Sequence, residues 1–155
     1  MAALTNDKLN RQKAAHRAVR LEYPVAASAQ IFAGALTGRN AGNARGLVAG
    51  DDFLGIAARR EDNSGGGAGA KRIETESDHY IEVDIAGTSA TDHGKAVYAP
   101  NDNVADLTLT KATNTAVGVL SQHISGTKHW MKVFSPGEAA YVKGIEARLA
   151  AAEAG

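Results

Sequence analysis

Asp78-His79-Tyr80-Ile81-Glu82-Val83-Asp84-Ile85 changes side-chain character at every step. In an extended chain successive side chains point to opposite faces, so His79, Ile81, Val83 and Ile85 share one face and Tyr80, Glu82 and Asp84 the other. One dry face and one wetter face mark a strand of an antiparallel sheet. Outward from this stretch, short runs of similar kind fall at residues 31–37, 53–58, 95–99, 106–110, 116–124 and 128–134. Gly, Asn and Asp separate them: Gly38 and the turn region 40–43 after the first, Gly50-Asp51-Asp52 before the second. No long helical pattern lies between them, which argues against the crossovers a parallel sheet requires. The expected body is mainly β, a small antiparallel barrel or sandwich.

The two ends read differently. Residues 6–21 contain neither Gly nor Pro, and Leu9, Ala14, Ala15, Ala18 and Val19 give them a thin apolar stripe. This segment reads as a basic arm, or as a helix that needs a partner surface, ended by Tyr23-Pro24. Ser135-Pro136-Gly137-Glu138 spells a capping box, with Ser as N-cap, Pro at the first helical position and Glu at the third. A helix is expected from Pro136 to about Ala152, with Val142, Ile145 and Leu149 on one stripe and Tyr141 beside it. Three regions result: an N-terminal basic arm or helix over residues 1–23, a β-rich body over 24–134, and a C-terminal α-helix over 135–155.

Composition removes several chemistries. The chain has 155 residues, enough for one packed domain, and no cysteine, so disulfides, thiolate metal sites and a cysteine nucleophile are excluded. No apolar run approaches the roughly 20 residues that span a bilayer, and the N-terminus lacks an apolar signal core. No membrane partner is expected. The formal net charge is zero, but residues 1–20 carry Lys8, Arg11, Lys13, Arg17 and Arg20 against Asp7 alone, a net of +4. A basic arm on a mildly acidic body points to docking on an acidic surface, protein or nucleic acid.

Motifs that could carry catalysis fail on inspection. Ser64-Gly65-Gly66-Gly67-Ala68-Gly69-Ala70-Lys71 resembles a phosphate loop, but no Gly-Lys-Ser/Thr opens a helix there; it reads as an exposed, flexible loop. His16, His79, His93, His123 and His129 lack the spacing of a metal site. His123 and His129 lie on consecutive expected strands and could meet across a hairpin, but no third ligand accompanies them. Ser77-Asp78-His79 is contiguous, which sends its side chains to alternate sides. No enzyme, metal or cofactor is expected. Trp130, between Lys128 and Lys132, is a possible base-stacking platform, so a nucleic-acid-binding barrel using the basic arm is the alternative reading.

Several segments, in order, resemble the capsid decoration (cement) proteins of tailed bacteriophages. Pro24-Val25-Ala26-Ala27 running into Ile31-Phe32-Ala33-Gly34-Ala35-Leu36 resembles the opening of that family. Phe53-Leu54-Gly55-Ile56-Ala57 followed by Asp62-Asn63-Ser64-Gly65-Gly66 resembles its Gly-Val-Ala strand and Asn-Ser-Ala-Gly loop. Gly94-Lys95-Ala96-Val97-Tyr98, Val117-Gly118-Val119 and Trp130-Met131-Lys132-Val133 resemble its later strands. The resemblance spans residues 21–134. It implies a compact β unit on the capsid exterior that bridges major capsid subunits, commonly as a trimer, and is assembled in the host cytoplasm without catalysis or cofactor. Candidate capsid contacts are then Lys8, Arg11, Lys13, Arg17, Arg20 and Tyr23. Candidate self-association contacts are Trp130, Phe134, Tyr141, Val142, Ile145 and Leu149.

Overall fold

The computed structural model describes residues 2–8, 10, 12 and 17–154. Its strands are β1 (Val19–Pro24), β2 (Gln30–Ile31), β3 (Leu36–Asn40), β4 (Asn43–Gly46), β5 (Asp52–Ala57), β6 (Glu61–Asp62), β7 (Arg72–Ser77), β8 (His79–Asp84), β9 (Ala96–Ala99), β10 (Thr115–Ser125) and β11 (Lys128–Val133). One helix, α1 (Pro136–Ala154), closes the chain. A five-stranded sheet has the order β1-β7-β5-β3-β4, a four-stranded sheet the order β8-β11-β10-β9, and β2 pairs with β6. All ladders are antiparallel. The body is thus mainly β and sandwich-like, as its alternation predicts.

The main core lies between the two larger sheets. Leu36, Phe53 and Ile56 meet Ile81, Val83, Val97, Val117, Leu120, Met131 and Val133, with Phe134 and Ala139 closing one end. A smaller cluster of Val25, Ile31, Ala35, Ala44, Leu54, Ala57 and Ile73 lies on the opposite face of the five-stranded sheet. β5 is therefore buried on both faces, which explains its unbroken run Phe53-Leu54-Gly55-Ile56-Ala57. β8 alternates as expected: His79, Ile81 and Val83 are buried, while Asp84 is exposed.

Four expectations are corrected. Residues 19–24 are strand, not the end of a helix: β1 pairs with β7 from Val19↔Ser77 to Pro24↔Arg72, and cross-strand pairing overrides a weak helical stripe. The first strand thus begins at Val19, within the segment expected as the arm. The run 31–37 is two strands, because Gly34 adopts φ +81° between them. The run 106–110 supplies a single bridge, Thr108 to Tyr98, since Asn103 caps a 3-10 turn at Val104–Asp106 just before it. The glycine-rich loop is exposed but tied down. Buried Asn63 donates through Nδ2 to Ala26 O (2.9 Å) and Gly67 O (3.0 Å), and the Gly69 amide donates to Val25 O (2.8 Å).

Candidate functional site

Two terminal elements dress the body, and each is fixed by polar contacts that the sequence alone does not reveal. The described residues 2–8, 10 and 12 lie across the body as a strap. The Leu4 amide donates to Asp102 Oδ1 (2.9 Å), the Lys8 amide to Ala33 O (2.7 Å), and the Ala33 amide to Asp7 Oδ1 (3.0 Å). Asn10 Nδ2 donates to Gly34 O (3.2 Å). Gln12 then bridges to Ile81 on β8 and donates through Nε2 to Glu76 Oε2 (2.7 Å) on β7. Residue 12 therefore touches both larger sheets. A cavity of about 190 Å³ lies under the strap, bounded by Lys8, Asn10, Glu76 and Ile81. Burial pushes the Asp102 carboxyl up, and the Leu4 amide pulls the other way.

Among the predicted cations, Lys8 reaches Asn103 Oδ1 at 3.5 Å. Arg20 lies across β7 with contacts to Glu74 (3.0 Å) and Glu76 (2.9 Å). Arg17 is exposed, and Tyr23 is half-buried on the smaller core cluster, where burial raises its phenol and Arg39 opposes that shift. Arg11 and Lys13 lie outside the described residues. The structure thus does not gather the described members into one open basic row: Arg20 faces acids of its own chain. Sequence reasoning missed the anchors Asp102 and Asn103, whose only signal was the Asx-rich stretch Asn101-Asp102-Asn103.

At the other end, α1 opens on the predicted capping box. The Glu138 amide donates to Ser135 Oγ and the Ser135 amide to Glu138 Oε1, both at 3.1 Å. Lys132 Nζ contacts Glu138 (2.9 Å) and Asp78 (3.0 Å), fastening the first turn to the four-stranded sheet. Glu138 is partly buried, which raises its carboxyl, but Lys132 and the Ser135 amide outweigh this and hold it below its ordinary value. Lys143 Nζ meets Asp52 Oδ1 at 2.8 Å, and that hydrogen bond is the main reason the Asp52 carboxyl lies low. Tyr98 donates its hydroxyl to Glu146 Oε1 (2.8 Å); burial first, then this acceptor, pushes the phenol up to about 12.

Beyond Glu146 the helix leaves the body. Every described residue from 147 to 154 is exposed, including Leu149 at 57%. Tyr141 is 68% exposed, Ile145 is half-buried, and Val142 packs on the main core. Tyr141, Ile145 and Leu149 recur at i, i+4 and i+8, one apolar row along the free side of α1. Phe134, expected at an interface, is 8% exposed and belongs to the chain's own core instead. Trp130 is half-buried on the outer face of β11, opposite Gln122 and Glu82.

His123 and His129 do meet across the β10–β11 hairpin, with ring centroids 5.3 Å apart. No group of three or more His, Asp or Glu placed to hold a metal occurs among the described residues. No helix among them is long and apolar enough to cross a membrane. No family model matches the chain, and no curated protein matches it.

Proposed function

We propose that this chain is a virion structural protein that binds the outside of a phage capsid and cements the shell by bridging major capsid subunits. One observation carries the reading: the segments that resemble decoration proteins fall, in order, on the strands of a single packed body. Phe53–Ala57 lies within β5, Gly94–Tyr98 leads into β9, and Trp130–Val133 lies within β11. The exposed half of α1 and its row Tyr141, Ile145 and Leu149 add a surface for self-association, as a trimer in this reading. Extended contacts of this kind raise avidity on a repeating lattice without new chemistry. Exposed Arg17 supplies a cation for an acidic partner surface. The nucleic-acid alternative has less support, because Arg20 is paired with Glu74 and Glu76 and Trp130 lies opposite Glu82.

Mixing the purified protein with undecorated, expanded capsids tests the proposal. Saturable co-sedimentation, with decorated shells surviving heating that breaks bare ones, is the expected result. A folded protein that stays in the supernatant at every concentration overturns it.

A further inference from the structure

β1 is an outer strand of the five-stranded sheet. β4 meets the chain just past its end, where Val25 bridges Ala44 and the Ala26 amide donates to Ala44 O (2.8 Å). Among the described residues no strand ladder pairs with Val19–Glu22 on the side away from β7. Its hydrogen-bond phase follows from the neighbouring pair, in which the Val25 amide donates to Lys71 O (2.9 Å). Bonding residues alternate along an antiparallel ladder. Val19, Leu21 and Tyr23 therefore turn their backbone groups toward β7, and Leu21 O indeed accepts the Thr75 hydroxyl at 3.3 Å. Arg20 and Glu22 turn theirs outward. The Glu22 carbonyl accepts only a long 3.4 Å bond from the exposed Arg72 side chain. Pro24 has no N–H and ends the row.

The side chains of this edge are also open. Val19 and Leu21 are 46% and 42% exposed although they share a face with buried Ile73 and Thr75, so the sheet outruns its core here. The opposite face carries Arg20 and Glu22. An exposed edge with apolar side chains is a template for another strand, and edges that avoid this use like charges that repel their own copies. β1 does the reverse. Read against itself in the opposite direction, its order apolar, basic, apolar, acidic, aromatic is self-complementary.

We propose that β1 pairs antiparallel with β1 of a second copy about a twofold axis through Leu21. Arg20 then lies opposite Glu22 of the second copy, with main-chain bonds exchanged in both directions, and their side chains form opposite-charge pairs on one face. On the other face Leu21 meets its twin and Val19 meets Tyr23 of the second copy, extending the apolar strip over both edges. A strand pair of this length buries far less than the roughly 800 Å² per partner of a stable dimer. It forms where copies are concentrated or held side by side. The pairing goes beyond the capsid reading and stands without it, since it concerns this chain alone.

The chain contains no cysteine, so Leu21→Cys introduces a single thiol. At a twofold non-hydrogen-bonded pair the two Cα atoms lie about 4.5 Å apart, within disulfide reach. Val19→Cys places its thiols roughly 13 Å apart and serves as the control. Under mild oxidation of concentrated full-length protein, L21C is expected to form covalent dimer at least about tenfold faster than V19C, by the geometry of disulfide closure. Adding R20E to L21C opposes Glu to Glu and slows the reaction toward the V19C rate; adding R20E with E22R restores it. E22R with L21C opposes Arg to Arg while leaving the Arg20 contacts to β7 in place, at the cost of the exposed 3.7 Å contact of Glu22 with Arg72, and slows it equally. Circular dichroism checks each fold. Equal rates for L21C and V19C, or indifference to both charge reversals, overturn the pairing.

Discussion

His129 is 1% exposed, and its two ring nitrogens have different surroundings. The Thr88 hydroxyl donates its proton to Ile85 O (2.7 Å), so it can only accept from His129 Nε2 at 2.9 Å. That fixes the neutral tautomer with hydrogen on Nε2 and leaves Nδ1 as a buried lone pair without a partner. Protonating Nδ1 would bury a cation lacking an acceptor, with His123 close by. Burial first, and His123 second, therefore hold His129 below its ordinary value, against smaller opposing pulls from Asp92 and Asp84. In the unfolded chain the ring titrates near about 6.5. The stability this group contributes is complete above that value and is lost as pH falls from there through the depressed folded value. Thermal midpoints are expected to drop between about pH 7 and 5, and His129→Phe should flatten that part of the profile. An unchanged slope in the variant would mean that another group titrates.

At the scale of elements, α1 is the one most clearly written in the sequence and most dependent on a few polar clamps. Ser135→Ala removes the cap and should cost about 1 kcal/mol, a fall of roughly 2–4 °C in the melting midpoint of a domain of this size. Acid acts on the same end. Asp52 and Glu138 both have carboxyls below their unfolded values, so their clamps are fully present above the ordinary carboxylate range, about pH 4, and weaken as pH falls through the lowered values. Protection factors for amide exchange at Ala139 and Val142, which allow for the slower intrinsic exchange in acid, should be high at neutral pH and fall below about pH 4. Unchanged protection there would show that apolar packing alone holds the helix.

The same scale shows what was legible and why. β8 and β11 have one wet face, so period-two alternation marks them; β5 has two dry faces, so an apolar run does. β4, Asn43-Ala44-Arg45-Gly46, has no strand-forming residue at all. It exists because Ala41 and Gly42 both adopt positive φ, closing a tight hairpin onto β3. β1 alternates plainly, but it follows a segment without Gly or Pro that reads helical. Only β7, some fifty residues downstream, decides the matter. The terminal cations were visible as charges, yet their fates depended on distant partners: Glu74 and Glu76 for Arg20, Asn103 for Lys8.

For the molecule as a whole, the strap joins what the strand order leaves separate. β7 belongs to the five-stranded sheet and β8 to the four-stranded one, with Asp78 at positive φ between them. Gln12 contacts both strands, and upstream residues fix it to Ala33, Gly34 and Asp102. Gly34 makes this seating possible. At φ +81° it has a conformation that side chains resist, and a Cβ there would lie 1.7 Å from the Lys8 carbonyl oxygen. Gly34→Ala must therefore lift the strap, besides costing about 1–2 kcal/mol for the left-handed backbone alone. The variant is expected to speed exchange of the Lys8 amide and to lower the melting midpoint. Deleting residues 1–12 should lower that midpoint too, since Leu4 packs on the smaller core, with strand content retained because the buried residues of both cores lie downstream. Once the strap is gone, only the backbone cost separates Gly34 from Ala, so adding G34A to the deletion should shift the midpoint less than it does in the full chain. An equal shift in both backgrounds would mean that the strap does not rest on Gly34, and the sheets would then be held by their shared core without a stitch across the β7–β8 junction.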